Sequence, residues 1–132
     1  MLELRNVARK LGDEIYVDDI SLTLERGELN ILLGPTLSGK TSLMRLMAGL
    51  DKPDSGEIDF DGRSVVGIPV QKRNVAMVYQ QFINYPTLTV YDNIASPLAV
   101  IGQPAKEVER RVHEIAELLQ LEELLKRTPA TL

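Results

Sequence analysis

Cysteine is missing from the 132 residues, and histidine occurs once, as His113. The first absence removes disulfides, thiol catalysis and thiolate metal sites without indicating a compartment. The second removes a histidine-built metal centre and a Ser-His-Asp triad. Basic runs are missing too: no stretch of Lys and Arg exceeds two residues, as at Arg110-Arg111, and 15 basic against 19 acidic residues give a net charge of −4. A protein that binds nucleic acid by neutralising many phosphates is thereby set aside. Nowhere do 18 apolar residues follow one another, and Met1-Leu2-Glu3-Leu4-Arg5 has neither a basic nor an apolar leader character. Neither a membrane span nor a secretory leader is expected. What remains is an ordinary globular composition, 44% apolar and 26% charged, in a chain large enough to bury one core.

Hydrophobic period divides the chain into segments. Leu2 to Val7 alternates apolar and polar residues, and so does Glu14 to Leu24; both read as half-buried strands. Leu29 to Leu33 is nearly continuous apolar and ends at Gly34, which predicts a central parallel strand buried on both faces. From Gly39 the period becomes helical through Leu43, Leu46, Met47 and Leu50, with Gly49 at the expected C-terminus. Glu57 to Phe60 followed by Asp61-Gly62 reads as a short hairpin, and Arg73 to Tyr79 as a second buried strand. Beyond Thr89 the pattern is helical: Pro104 sits at a helix start, and Val108, Val112, Ile115 and Leu119 form one stripe opposite Lys106, Glu109, Arg110 and Glu117. His113 belongs to that helix, on a solvated face.

Gly34-Pro35-Thr36-Leu37-Ser38-Gly39-Lys40-Thr41 fits the phosphate-binding pattern G, four residues, G-K-[ST], in the strand-to-helix context the pattern requires. Such a loop wraps successive backbone N–H groups around an anion, and the following helix adds the positive end of its dipole. Lys40 then places a point charge against the outer phosphates of a nucleotide, the Thr41 hydroxyl ligates a bridging Mg²⁺, and Ser42 offers a further hydroxyl. Leu37 stands at an internal position where tight loops often use Gly. A γ-branched side chain tolerates positive φ poorly, so a distorted or more weakly binding loop is expected.

Three stretches together, the Gly34 to Thr41 loop, Val75-Ala76-Met77-Val78-Tyr79-Gln80, and Tyr85 to Ile94, resemble the nucleotide-binding subunit of an ATP-binding-cassette transporter. The resemblance covers essentially the whole chain and lies nearest importers of sugars and polyols; the Leu-containing loop is similar to that of glycerol importers. It implies an α/β fold: a P-loop NTPase core with an N-terminal antiparallel β-subdomain and the start of a helical subdomain, together an incomplete domain. Residues 1–88 would be the ATP-binding core with its β-subdomain, and residues 89–132 the first part of the helical subdomain. ATP and Mg²⁺ are the implied cofactors. Lys40 and Gln80 would be catalytic, with Gln80 reaching toward Mg²⁺ and the γ-phosphate as the family's Q-loop glutamine. The implied partners are membrane-spanning permease subunits and a second ATPase subunit, a homodimer or a paired chain. Through them the protein would sit peripherally on the cytoplasmic face of the cell membrane. Phe82 and Tyr85 would be exposed apolar anchors in the groove where the permease docks; local loop packing is the other reading of these two. The family's adenine-stacking aromatic falls at Leu11, and Tyr16, five residues on, is the aromatic offered in its place, with sheet packing as its alternative role.

In the family the helical segment runs into a signature Leu-Ser-Gly-Gly-Gln and then an apolar strand ending Asp-Glu; Leu132 would be the first letter of that signature. Without the acidic strand, this stretch has no second Mg²⁺ anchor and no carboxylate to position water, so its own hydrolysis is expected to be negligible. The central strands would also want neighbours. The expectation is the front part of a longer protein that hydrolyses ATP to import a solute. Two alternatives stay open: a phosphate-loop kinase of small metabolites, and a non-catalytic nucleotide-binding fragment.

Overall fold

The computed structural model describes residues 1–81 and 83–132. Phe82, expected as an apolar anchor, lies outside the described residues. The chain forms two compact units, residues 1–78 and residues 79–132.

The first unit is built on β1 (Leu2–Leu11), β2 (Glu14–Leu24), β3 (Ser55–Phe60) and β4 (Arg63–Ser64), an antiparallel sheet in the order β2-β1-β3-β4. Helix α1 (Lys40–Ala48) packs on it. Leu4 and Val7 of β1, Val17 of β2 and Ile58 of β3 close on Leu43 and Leu46 of α1, all nearly or fully buried. Each such side chain stabilises the unit by roughly 1.5–3 kcal/mol relative to exposure.

Leu4 and Val7 are an odd number of residues apart, so a plain two-residue period would point one of them away from the core. A bulge corrects this: Leu4 pairs with Leu22 and Val7 with Ile20, so β1 advances one residue more than β2. Between Val7 and Arg9 the mismatch reverses, because Arg9 pairs with Val17. The two irregularities carry Asn6 (φ 48°) and Asp19 (φ 47°), residue types that tolerate the left-handed region. Asn6 Nδ2 donates to Asp19 Oδ1 at 2.8 Å, and the Asn6 N–H donates to Ser21 Oγ at 2.8 Å. Across the other edge of β1, a Cβ on Gly56 would lie 2.3 Å from the Asn6 carbonyl oxygen, so only glycine admits this approach. The Asp61-Gly62 turn between β3 and β4 has positive φ at both residues, as a type I′ hairpin requires.

Two expected strands are not formed. Leu29 to Leu33 and Arg73 to Tyr79 have no ladder partner among the described residues. Leu29, Ile31 and Leu33 are 90%, 73% and 85% exposed. A strand buried on both faces is a property of its neighbours: it needs a strand on each edge and a layer on each face. The apolar run is present, and among the described residues no strand pairs with it.

In the second unit, α2 (Val90–Val100) and α3 (Ala105–Leu118) share a core of Val90, Ala95, Val108, Val112 and Ala116, joined by Leu125 from the segment after α3. Thr89 caps α2: its hydroxyl accepts from the Asp92 N–H, and the Asp92 carboxylate reaches back to the Thr89 N–H. Pro97 lies inside α2 and deprives the Asn93 carbonyl of its helical donor; the Ser96 hydroxyl supplies one instead at 3.0 Å. The stripe of α3 differs from the expected one. Val108 and Val112 are buried, but the third member is Ala116, while Ile115 and Leu119 are exposed. An i, i+4, i+8 row keeps to one face, and a small Ala permits close approach to α2. His113 is exposed on α3, its ring tilted toward that of Tyr91 with centroids 6.3 Å apart.

Candidate functional site

The loop of residues 34–39 is shaped by its backbone. The Ser38 N–H closes a turn on the Pro35 carbonyl, and Leu37 then takes φ 66° with its side chain almost wholly exposed. The sequence marked Leu37 as ill-suited to positive φ, and that is the conformation it adopts. Gly39, at φ 82°, is the N-cap of α1. A Cβ there would stand 2.1 Å from the Tyr16 carbonyl oxygen. The loop therefore ends hard against β2, and glycine at this position is required by contact as well as by φ.

Helix α1 opens with no side-chain cap and no acidic residue in its first turn. Its first internal bond is from the Leu43 N–H to the Gly39 carbonyl, at 2.8 Å. The amides of Lys40, Thr41 and Ser42 have no protein acceptor among the described residues and point outward from the positive end of the dipole. Lys40 folds back over the loop: Nζ donates to the carbonyls of Gly34 at 2.8 Å and Pro35 at 2.5 Å and to Ser38 Oγ at 3.3 Å. Those three bonds use all the donors of the ammonium but bring it no opposite charge. An open helix end, three free amides and an uncompensated cation in one small loop form a receptor for a polyanion. Thr36 lies in the turn, exposed; Thr41 is exposed and Ser42 half-buried in the first turn of α1.

A cleft of about 350 Å³ adjoins the loop, lined by Ser38, Gly39 and Lys40 on one side and by Tyr16 and Asp18 of β2 on the other. The Tyr16 hydroxyl donates to Glu14 Oε2 at 2.9 Å, which orients the ring and raises the phenol's pKa. Leu11 does not line this cleft; it stands at the end of β1, paired with Glu14 and 65% exposed. Ile15, Leu32 and Leu33 also line the cleft. Sequence reasoning missed them because their apolar pattern signalled burial in a sheet. Gln80, exposed, belongs to the second unit, as does Tyr85, 59% exposed.

No group of three or more His, Asp or Glu able to hold a metal occurs among the described residues. A divalent ion at this loop would therefore find, in the first unit, the Thr41 hydroxyl beside the oxygens of the anion it accompanies. The donor set fits Mg²⁺ bound as a nucleotide complex, for which one or two protein ligands suffice. No helix among the described residues is long and apolar enough to cross a membrane.

Comparison with known proteins agrees with this geometry. The family model described as ABC transporter matches residues 17–132. The chain is 46% identical over 129 residues to the spermidine/putrescine import ATP-binding protein PotA of Nitrosospira multiformis, covering 98% of this chain and 36% of that protein. To the Fe(3+) ions import ATP-binding protein FbpC of Photobacterium profundum it is 39% identical over 118 residues, 89% of this chain and 34% of the relative. The chain thus spans about a third of the length of these curated relatives. Among solved structures, the dimeric post-hydrolysis state of the ATP-binding cassette MJ0796 bound to ADP and Pi superposes with a TM-score of 0.84 at 27% identity, covering all of this chain and 63% of that one. With a cassette fold, a phosphate loop opening α1 and a family match over most of its residues, the chain belongs to the ABC transporter family.

Proposed function

We propose that this chain is the ATP-binding front of an importer's nucleotide-binding subunit, and that the complete protein hydrolyses ATP to drive a solute across the membrane. The observation that carries the reading is Lys40, bonded to the carbonyls of Gly34 and Pro35 at the uncapped start of α1. Gly34, Pro35, Thr36, Leu37, Ser38 and Gly39 would form the cradle, with the amides of Lys40, Thr41 and Ser42 meeting the phosphates. On arrival of a polyphosphate, the ammonium exchanges neutral carbonyls for anionic oxygens, a stronger set of partners. Mg²⁺, when bound, neutralises phosphate charge; Thr41 and Gln80 would be its protein contacts. Tyr16, oriented by Glu14 over the cleft, would take the base, whereas Leu11, the position of the family's aromatic, stands outside the cleft lining.

Residues 1–88 would act as the binding core and residues 89–132 as the first part of the helical subdomain; the segment after Gln80 up to the start of α2, with Tyr85 as an anchor, would meet the permease. A second cassette would complete the site, and attachment at the cytoplasmic face would come through the permease. The relatives' names support import; they name spermidine/putrescine and Fe(3+), whereas the resemblance of the Leu37-containing loop supports a sugar or polyol such as glycerol. The test is reconstitution of the complete subunit with its permease. ATP-dependent uptake, with phosphate released and no phosphorylated acceptor formed, supports the reading, and transfer of the γ-phosphate to a metabolite overturns it. Stimulation by glycerol, by spermidine or by Fe(3+) assigns the solute.

A further inference from the structure

At the start of α2, a single side chain binds more backbone than a helix cap requires. Asn93 Nδ2 donates to the carbonyls of Tyr85 at 3.0 Å, Leu88 at 3.3 Å and Thr89 at 2.9 Å, and its Oδ1 accepts from the Tyr85 N–H at 2.7 Å. Two amide hydrogens thus serve three carbonyls, one of them shared, and Tyr85 is held through both its N–H and its C=O. The Leu88 N–H closes the same loop on the Tyr85 carbonyl at 3.1 Å. Capping does not account for this arrangement, because Thr89 and Asp92 with the carbonyls of Arg127 and Leu125 already satisfy the first amides of α2. What the carboxamide adds is a fixed path for residues 85–89, and along that path Tyr85 and Leu88 remain 59% and 37% exposed. Exposed apolar groups on an immobilised backbone lose little further freedom when they are covered, and lowered ordering cost is how preorganisation raises affinity.

We propose that Asn93 is a positioning residue whose carboxamide makes the loop from Tyr85 to Thr89 a rigid extension of α2 and so presents Tyr85 preformed to the membrane-spanning partner. This rests on the permease reading above. The informative variant is Asn93→Asp in the complete subunit, which is isosteric and keeps the Oδ1 acceptor for the Tyr85 N–H. It replaces the donor group by an oxygen that faces three carbonyls.

Three readouts are expected at neutral pH. Hydrogen exchange at the Tyr85 amide accelerates at least about tenfold, assembly with the detergent-solubilised permease weakens about tenfold, and Mg-ATP affinity of the free subunit is unchanged. Acidification protonates the new carboxyl, whose neighbouring carbonyls favour the neutral form, and returns one donor; part of the lost assembly is recovered as pH falls from about 7 to about 5. If that variant does not fold, Asn93→Ser is expected to give the same loosening without the recovery. Unchanged exchange at Tyr85 overturns the inference, and so does a loosened loop with unimpaired assembly. Tyr85→Ala separates the two levels: if it leaves assembly intact, the permease reading fails, whereas weakened assembly in Tyr85→Ala with none in the Asn93 variants is a failure of the positioning role alone.

Discussion

Two helices of this chain begin in opposite ways. Helix α2 starts fully provided: the Thr89 hydroxyl accepts from the Asp92 N–H, and the carbonyls of Arg127 and Leu125 accept from the N–H groups of Val90 and Tyr91. Helix α1 starts bare, with glycine as its N-cap, no acid in its first turn, and a lysine adding to the positive end of the dipole. By the rules of helix stability alone α1 is the poorer design. The difference teaches where the chain has given up local stability to keep backbone donors available, and that is a functional signature independent of any motif.

The comparison can be broken from either side. Lys40→Ala removes the cation and is expected to weaken Mg-ATP binding about 100-fold in the complete subunit, read by nucleotide titration, while leaving the urea midpoint nearly unchanged. Thr89→Ala should do the converse, costing about 1 kcal/mol of stability with no change in nucleotide affinity. Leu37→Gly relieves a left-handed leucine and should stabilise the first unit by about 1 kcal/mol, measured by denaturant unfolding. Smallest in stability is Ser42→Glu, which supplies α1 with the acid it lacks: the gain should be about 0.5 kcal/mol, and nucleotide affinity should fall because the carboxylate competes for the same amides. A variant that gains stability and keeps its affinity would remove the argument that the bare helix end is the receptor.

Where the determinants were local, they were legible. Alternation located β1 and β2, turn chemistry located the Asp61-Gly62 hairpin, and the change to a helical pattern at Thr89 located α2. The phosphate loop was legible because its chemistry lies in consecutive residues. Leu29 to Leu33 was misread as a buried strand because burial depends on residues elsewhere in a fold, and no apolar run specifies its own neighbours. The same run instead contributes Leu32 and Leu33 to the cleft wall. Asn93 escaped notice for a related reason: an asparagine in a first helical turn is common, and only coordinates show its amide spanning back to Tyr85.

The paired irregularities at Asn6 and Asp19 also bear on a hazard remote from nucleotide chemistry. Among the described strands β2 is an edge, and a long regular edge invites a strand from another molecule. Asp19 interrupts its ladder with a left-handed residue, and the adjoining Asp18 adds a second negative charge. The opposite edge, β4, is only two residues long. A sheet whose long edge is kinked and charged and whose other edge is too short to copy should resist intermolecular strand pairing.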